Sequence, residues 1–427
     1  MNYWVLPATV AHLCHVVGHC KEDDMTKYAR LPLWIWLFAL VLWSSPSHAY
    51  PWMIQHQYTG CATCHVDPSG GYLLTAYGRA QTQALLSSFG KGPEGDEVDS
   101  RSNFAFGLMP PNDTLNLGAS VRQAWFWSKA VDPAGNAKSR WMLMQADFRA
   151  AVSVGRFIVT GSIGFLQDGN HPAQVTTGTK NVVVSREYWL GMRLGEEGNT
   201  MLRVGRMYLP FGIRAIEHPF YVRTNTGTNI DYQQQVGASV FHETDAYRFE
   251  IMAIAGNYQI SPDQYRERGY SGYVELGVGS GAQLGFSSKV TRAKLNPMTF
   301  GKNSYSGAHG PMLRWSPLEH VAVLVEADLL HLSATGAQTK FGFASLAQID
   351  WEAVRGLHTM VTGEFYDGPE WDRDNRHHLF NRDWLSFVWF AYPHVDLRLD
   401  SYWASESYAP PSRTNSVGAL GMVHVSL

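Results

Sequence analysis

From residue 114 to the C-terminus the sequence shows no sustained helical period. It runs instead in segments of about ten residues that alternate apolar and polar side chains, and this restricts the possible folds more than any other feature. Val395, Leu397, Leu399 and Trp403 fall on one face, with Asp396, Arg398, Asp400 and Tyr402 on the other. Val321, Val323, Val325, Ala327 and Leu329 alternate with Leu324, Glu326 and Asp328, and Leu190, Met192 and Leu194 oppose Trp189 and Arg193. Such a dyad pattern suits strands whose apolar side chains meet lipid and whose charged ones meet a lumen. We expect an all-β fold: a transmembrane antiparallel β-barrel of about sixteen strands. The strands should start near residues 115, 140, 156, 183, 200, 232, 245, 268, 281, 303, 319, 339, 356, 383, 394 and 415. Short turns at 195–199, 243–245, 279–281 and 392–395 are interleaved with long connections at 167–182, 209–231, 257–267 and 367–382, as in outer-membrane barrels with periplasmic turns and extracellular loops. A soluble sandwich or propeller would also give many strands, but no blade-length repeat is present.

Composition agrees. The chain has 40 Gly, 15 Trp, 20 Tyr and 20 Phe but only 17% charged residues, which suits an apolar outer skin with aromatic belts. Its net charge of −3 excludes a basic nucleic-acid binder, and 45% hydrophobic content excludes a disordered tail protein. Both signs occur at the expected inward positions (Asp147, Arg149, Arg193, Arg203, Glu250, Glu326, Asp328, Glu364 and Arg398), so no ion selectivity is assigned.

Residues 25–49 read as a secretory signal peptide: Lys27 and Arg30, an apolar run from Leu31 to Trp43, then Ser47-His48-Ala49. That run is shorter than the ~20 apolar residues a membrane-spanning helix needs. Residues 1–24 precede it as an upstream extension, with Met25 as the expected start, so 1–49 is set apart from the fold. Removing the leader removes Cys14 and Cys20 and leaves Cys61 and Cys64. Two cysteines in an exported chain of this size do not form a disulfide framework.

Those two belong to Cys61-Ala62-Thr63-Cys64-His65, the attachment signature of a c-type haem. The spacing puts two thiols one turn apart, to be joined to the haem vinyl groups, with the adjacent imidazole as proximal iron ligand. The other use of such a pair, a thioredoxin-like redox motif, needs a βαβ context that 50–113 lacks. We therefore expect one covalent haem c, held by Cys61 and Cys64 with His65 on the iron. Residues 50–90 form a small helical head, with a helical stretch over 73–89, and the Gly/Pro/acid-rich 91–113 a linker to the barrel at 114–427. A head this small needs a staple, which haem would supply.

The distal iron position stays open among His56, Met109 and Met53, or no side chain at all. In 67–79, Leu73, Leu74 and Tyr77 could cover a haem face or simply pack. Asp372, Asp374, His377 and His378 could collect a divalent metal, or form an ordinary solvated loop. The stretch 204–212, VGRMYLPFG, resembles the strand-end pattern of anion-type porins such as the phosphate-selective family.

A signal peptide, one CxxCH early in the mature chain and a barrel running to the C-terminus together resemble the fused outer-membrane monohaem cytochrome-porins. That family includes iron-oxidising extracellular electron-transfer proteins. The resemblance implies an outer-membrane protein that carries electrons between an extracellular donor or acceptor and a periplasmic cytochrome. With Fe(II) as donor it would be an Fe(II):cytochrome oxidoreductase. One haem cannot bridge an apolar band ~25 Å tall, so the head is expected to plug or cap the barrel. Two other readings are a diffusion porin whose haem head is a structural plug or gate, and a gas sensor with five-coordinate iron. A hydrolase is not expected, since no nucleophile elbow or HExxH is found.

Overall fold

The computed structural model describes residues 52–89, 100–112, 114–131, 135–165, 182–195, 198–215, 217, 219–279, 281–296, 301–369, 379–409 and 412–427, with the side chains at 408, 409 and 412 excepted. The leader, Met25, linker residues 91–99 and 113, and the Asp372, Asp374, His377 and His378 group lie outside these residues.

The alternation seen in the sequence becomes a closed antiparallel barrel. In chain order its strands are β1 (Leu115–Ala130), β2 (Lys138–Val154), β3 (Phe157–Phe165), β4 (Val183–Val184), β5 (Tyr188–Leu194), β6 (Thr200–Met207), β7 (Gln235–Glu243), β8 (Tyr247–Gly256) and β9 (Arg268–Gly277). They continue as β10 (Ala282–Leu295), β11 (Lys302–Leu318), β12 (Val321–Ser333), β13 (Lys340–Val354), β14 (Leu357–Asp367), β15 (Leu379–Tyr392), β16 (Val395–Ala409) and β17 (Ser412–Ser426). Both β4 and β5 pair with β3, so these segments fill sixteen barrel positions. The ring closes where β1 pairs with β17, from Ser120 opposite Ser426 to Ala130 opposite Ser416. The strand starts agree with the sequence reading to within a few residues. One correction concerns the connection expected to end at 382, because β15 begins at Leu379 and pairs Leu379 with Asp367.

Burial follows the inside-out rule. Asp396, Arg398 and Asp400 are buried inside, while Leu397, Leu399 and Trp403 are exposed on the outer face. Asp147, Arg149, Arg203, Glu250, Glu326, Asp328 and Glu364 are likewise buried, whereas Arg193, expected inward, is exposed beside a short turn. Outward aromatics gather at the two ends of the strands: Trp315, Trp351 and Trp389 near the short turns, and Trp141, Tyr305 and Phe341 near the other rim. These are the girdles of a membrane barrel. No described helix is long and apolar enough to cross a membrane; the strands do so.

Ile251 is half exposed on the lipid face in the middle of β8. Ile251→Arg is expected to cost roughly 2–4 kcal/mol, because a guanidinium near the bilayer midplane loses its hydration. Urea titration of protein folded into lipid vesicles measures this loss.

Two segments fill the lumen. One is the connection between β6 and β7, where Phe211, Ile213, Phe220 and Val222 are buried. Phe211, Phe220 and Val222 pack on Leu330, Leu346 and Trp384 of the wall. Its backbone is tied in mid-barrel, with Gly212 N donating to Ser287 Oγ at 2.8 Å and Ile213 N to Glu326 Oε2 at 2.7 Å. The other is the N-terminal segment 52–89. Val66 and Leu73 pack with Ile158, Trp189 and Met252 on one wall, and Trp52, Ile54 and Leu86 with Ala322, Met360 and Val388 on another. Most of its wall partners, among them Ile158, Ala322, Met360 and Val388, lie toward the short-turn ends of the strands, so it forms a plug in that half of the lumen. Its helix is shorter than 73–89: Ala76–Gln81, followed by one wide turn at Thr82–Leu86.

Candidate functional site

The CxxCH segment folds as a single tight turn inside the plug. Cys64 N and His65 N both donate to Cys61 O, at 3.2 and 3.0 Å, which places the two cysteines one turn apart. His65 pairs with Leu74 as an antiparallel bridge, and Val66 N donates to Leu73 O at 2.9 Å, so the chain doubles back across the motif. The reversal at 67–70 is held by Asp67 Oδ1, which accepts from Ser69 N at 2.8 Å and Ser69 Oγ at 2.7 Å. Gly70 completes it with φ +91°, and a Cβ there would lie 3.2 Å from Cys61 Sγ.

The helix that follows is seated on the motif. Thr75 caps it by accepting from Gly78 N at 3.0 Å, while Thr75 N donates to Cys64 O at 2.8 Å. Gly78 lies so close that a Cβ there would sit 2.3 Å from Cys64 O, so only glycine fits.

Cys61, Cys64 and His65 are all buried, and the two sulfurs are not joined to each other. Burial pushes the Cys64 thiol up to about 12, with the neighbouring Cys61 adding to the rise. Burial also lowers His65 to about 4, against the opposing pull of its bond to Gly71 and the charge of Asp67. Its imidazole is therefore neutral near pH 7. His65 Nδ1 donates to the Gly71 carbonyl, which fixes the tautomer whose Nε2 carries the lone pair. Two unlinked thiols and an oriented neutral imidazole on one turn can hold a group through two sulfurs and a nitrogen.

Ion pairs and hydrogen bonds moor this turn to the barrel. Asp67 accepts from Arg203 Nη1 of β6 at 2.5 Å, and Arg203 Nη2 also donates to Glu250 of β8, all three being almost wholly buried. Arg248 Nη1 lies 3.5 Å from Cys61 Sγ, and its other end meets Glu275 of β9. Arg314 Nη2 donates to Thr59 O at 2.5 Å, and Arg79 Nη2 to Asn116 Oδ1 of β1 at 2.8 Å. Arg355, in the turn after β13, donates to Ser87 O at 2.9 Å.

The expected distal candidates go elsewhere in this arrangement. His56 Nε2 lies 3.0 Å from Glu352 Oε2 on β13, and its ring stands edge-on to His320 at 6.2 Å. Met53 is packed in the plug's apolar cluster and Met109 is exposed. Among the described residues no group of three or more His, Cys, Asp or Glu side chains is placed to hold a metal ion. Tyr77 is exposed, whereas Leu73 is buried at the contact of plug and wall.

Cys61 and His65 border a cavity that runs from the plug to the wall of β1, β2, β16 and β17 and is also lined by Tyr72, Arg149, Tyr208 and Arg214. Sequence reasoning missed Arg214 because it read 209–231 as an outside loop, and Tyr208 because it stands at the strand end that leads into it. The signal was there: YLPFGIRAIEHPFYV is too apolar and aromatic for a solvated loop.

No protein-family model and no curated protein matches the sequence. Solved structures do. OmpT of Vibrio cholerae is 9% identical over 74% of this chain and 99% of its own, with a TM-score of 0.52. The anion-selective porin from Comamonas acidovorans is 9% identical over the same shares, with a TM-score of 0.55. The outer membrane channel DcaP of Acinetobacter baumannii is 12% identical over 73% and 97%, with a TM-score of 0.50. At these identities the likeness shows the fold alone, the porin barrel.

Proposed function

We propose that this chain is an outer-membrane channel of porin type, its lumen narrowed by its own N-terminal plug, and that the plug carries one covalent haem c. The observation that carries the channel reading is the wall itself: a closed ring of strands with apolar residues outside and buried charges within. The porin-type neighbours support it. Short-turn ends then face the periplasm and the girdles sit at the two lipid interfaces.

The residues of the plug fit a haem. Cys61 and Cys64 are unlinked and one turn apart, His65 is neutral with Nδ1 already engaged, and a cavity adjoins Cys61 and His65. Cys61 and Cys64 would form the two thioethers and His65 would take the iron. Bound there, the group would supply one-electron redox chemistry at the periplasmic end of the lumen.

A second reading, electron transfer between an extracellular donor such as Fe(II) and a periplasmic cytochrome, rests on the CxxCH turn in the plug, with its two unlinked cysteines and oriented His65. Planar-bilayer recording of the purified, full-length protein separates the two. Discrete ohmic current steps are expected. Ion-tight protein that nevertheless carries electrons across vesicle membranes to entrapped cytochrome c would overturn the channel reading and put electron transfer first.

A further inference from the structure

We propose that the cavity beside the CxxCH turn is a carboxylate-binding site built from Tyr72, Tyr208, Arg149 and Arg214. These four side chains line it; Oη of both tyrosines and Nε and Nη2 of Arg214 are buried donors with no acceptor among the described residues, while Arg149 Nε has only Glu187 Oε1 at 3.6 Å. Tyr208 is 3% exposed and Arg149 2%, so water does not freely satisfy them. Three of them are gathered together. The Tyr72 and Tyr208 rings stand 6.1 Å apart, and Arg149 Cζ lies 4.4 Å from the Tyr72 ring centre.

Charge selects the ligand class. The cavity lining includes Arg79, Arg122, Arg149, Arg214 and Arg398 but only two carboxylates, Glu217 and Asp396. Both of these are already engaged, Glu217 by Arg398 at 2.5 Å and Asp396 by His424 at 2.7 Å. The carboxylates that answer Arg149, Asp147 at 2.7 Å and Glu187 at 3.6 Å, do not line the cavity. A neutral acceptor would satisfy the donors; only an anion also answers the surplus of arginine. A planar carboxylate matches the guanidinium fork.

Two sources supply that chemistry. One is the pair of propionates on a haem held by Cys61 and Cys64, and this source rests on the proposed haem. The other is a free carboxylate solute in the lumen. The full-length protein, Tyr208→Phe, Arg214→Met and Cys61→Ala/Cys64→Ala are each titrated calorimetrically with succinate. The haem-loaded forms are also poised spectroelectrochemically, with haem per chain measured alongside.

If propionates occupy the site, wild type gives no saturable succinate heat, the cysteine variant acquires it, and Arg214→Met shifts the midpoint potential downward, because a cation near the haem is lost. If a free solute is the ligand, wild type binds succinate and both Tyr208→Phe and Arg214→Met weaken it roughly tenfold or more. Either pattern supports the site. Potentials unmoved by substitution, with no succinate heat in any protein, would overturn it. Wild type without covalent haem would refute the haem reading alone, leaving succinate binding to decide the site.

Discussion

With the proposed haem in place, replacing Cys61 and Cys64 together by alanine is expected to take covalent haem from one per chain to none. The readouts are the pyridine haemochrome spectrum and the loss of peroxidase staining at the position of the chain on a denaturing gel. Each single substitution should then leave one thioether and a shifted haemochrome band, because the second vinyl group would remain unsaturated. Alanine is the apt replacement: both sulfurs are buried, and a serine hydroxyl there would add an unpartnered polar group at about 1–3 kcal/mol each. The barrel should be unchanged, since its closure from β1 to β17 involves neither cysteine. A wild-type protein that holds no haem after export in a haem-attaching host would leave Cys61 and Cys64 as a redox pair.

The second large effect concerns Arg203. Its guanidinium bonds both Asp67 of the plug and Glu250 of the wall, and those two carboxylates are 2% and 0% exposed. Arg203→Met strands them, and an uncompensated buried charge of this kind costs about 3–5 kcal/mol. The expected results are a lowered unfolding midpoint, faster tryptic cleavage after Arg79, and a larger unitary conductance as the plug loosens. Arg206→Met is the control from the same strand. Arg206 donates to Asn257 at 2.7 Å, Gln259 at 2.9 Å and the Ser185 carbonyl at 2.9 Å, so its loss strands no carboxylate and frees no plug contact. Equal behaviour of the two variants would show that Arg203 does not moor the plug.

The barrel was legible because its signal is repeated and local. In β16 an alternation of Asp396, Leu397, Arg398, Leu399 and Asp400 tells lipid from lumen without knowledge of any partner strand. The CxxCH turn was legible for a similar reason, since its spacing is contained in five residues. What escaped the sequence lies in contacts between distant positions. Arg203 could be assigned inward, but nothing in its own segment says that Asp67 awaits it, nor that His56 turns to Glu352 far along the chain. The segment after β6 was misplaced because connections between strands default to solvent. Burial of Phe211 and Phe220 against Leu346 and Trp384 overrides that default.

The plug is synthesised before every strand that encloses it, and its bonds reach far ahead in the chain, as from Gln55 to Asp350 and from Ser88 to Phe390. The seam that completes the enclosure is made by the last strand, β17, against the first, β1. Order of assembly is thereby constrained. A chemical group destined for Cys61 and Cys64 is most readily joined while the plug is still an open peptide, because after closure both sulfurs are buried. The barrel then acts as a lock on whatever was attached, and the last strand to form is the one that turns it.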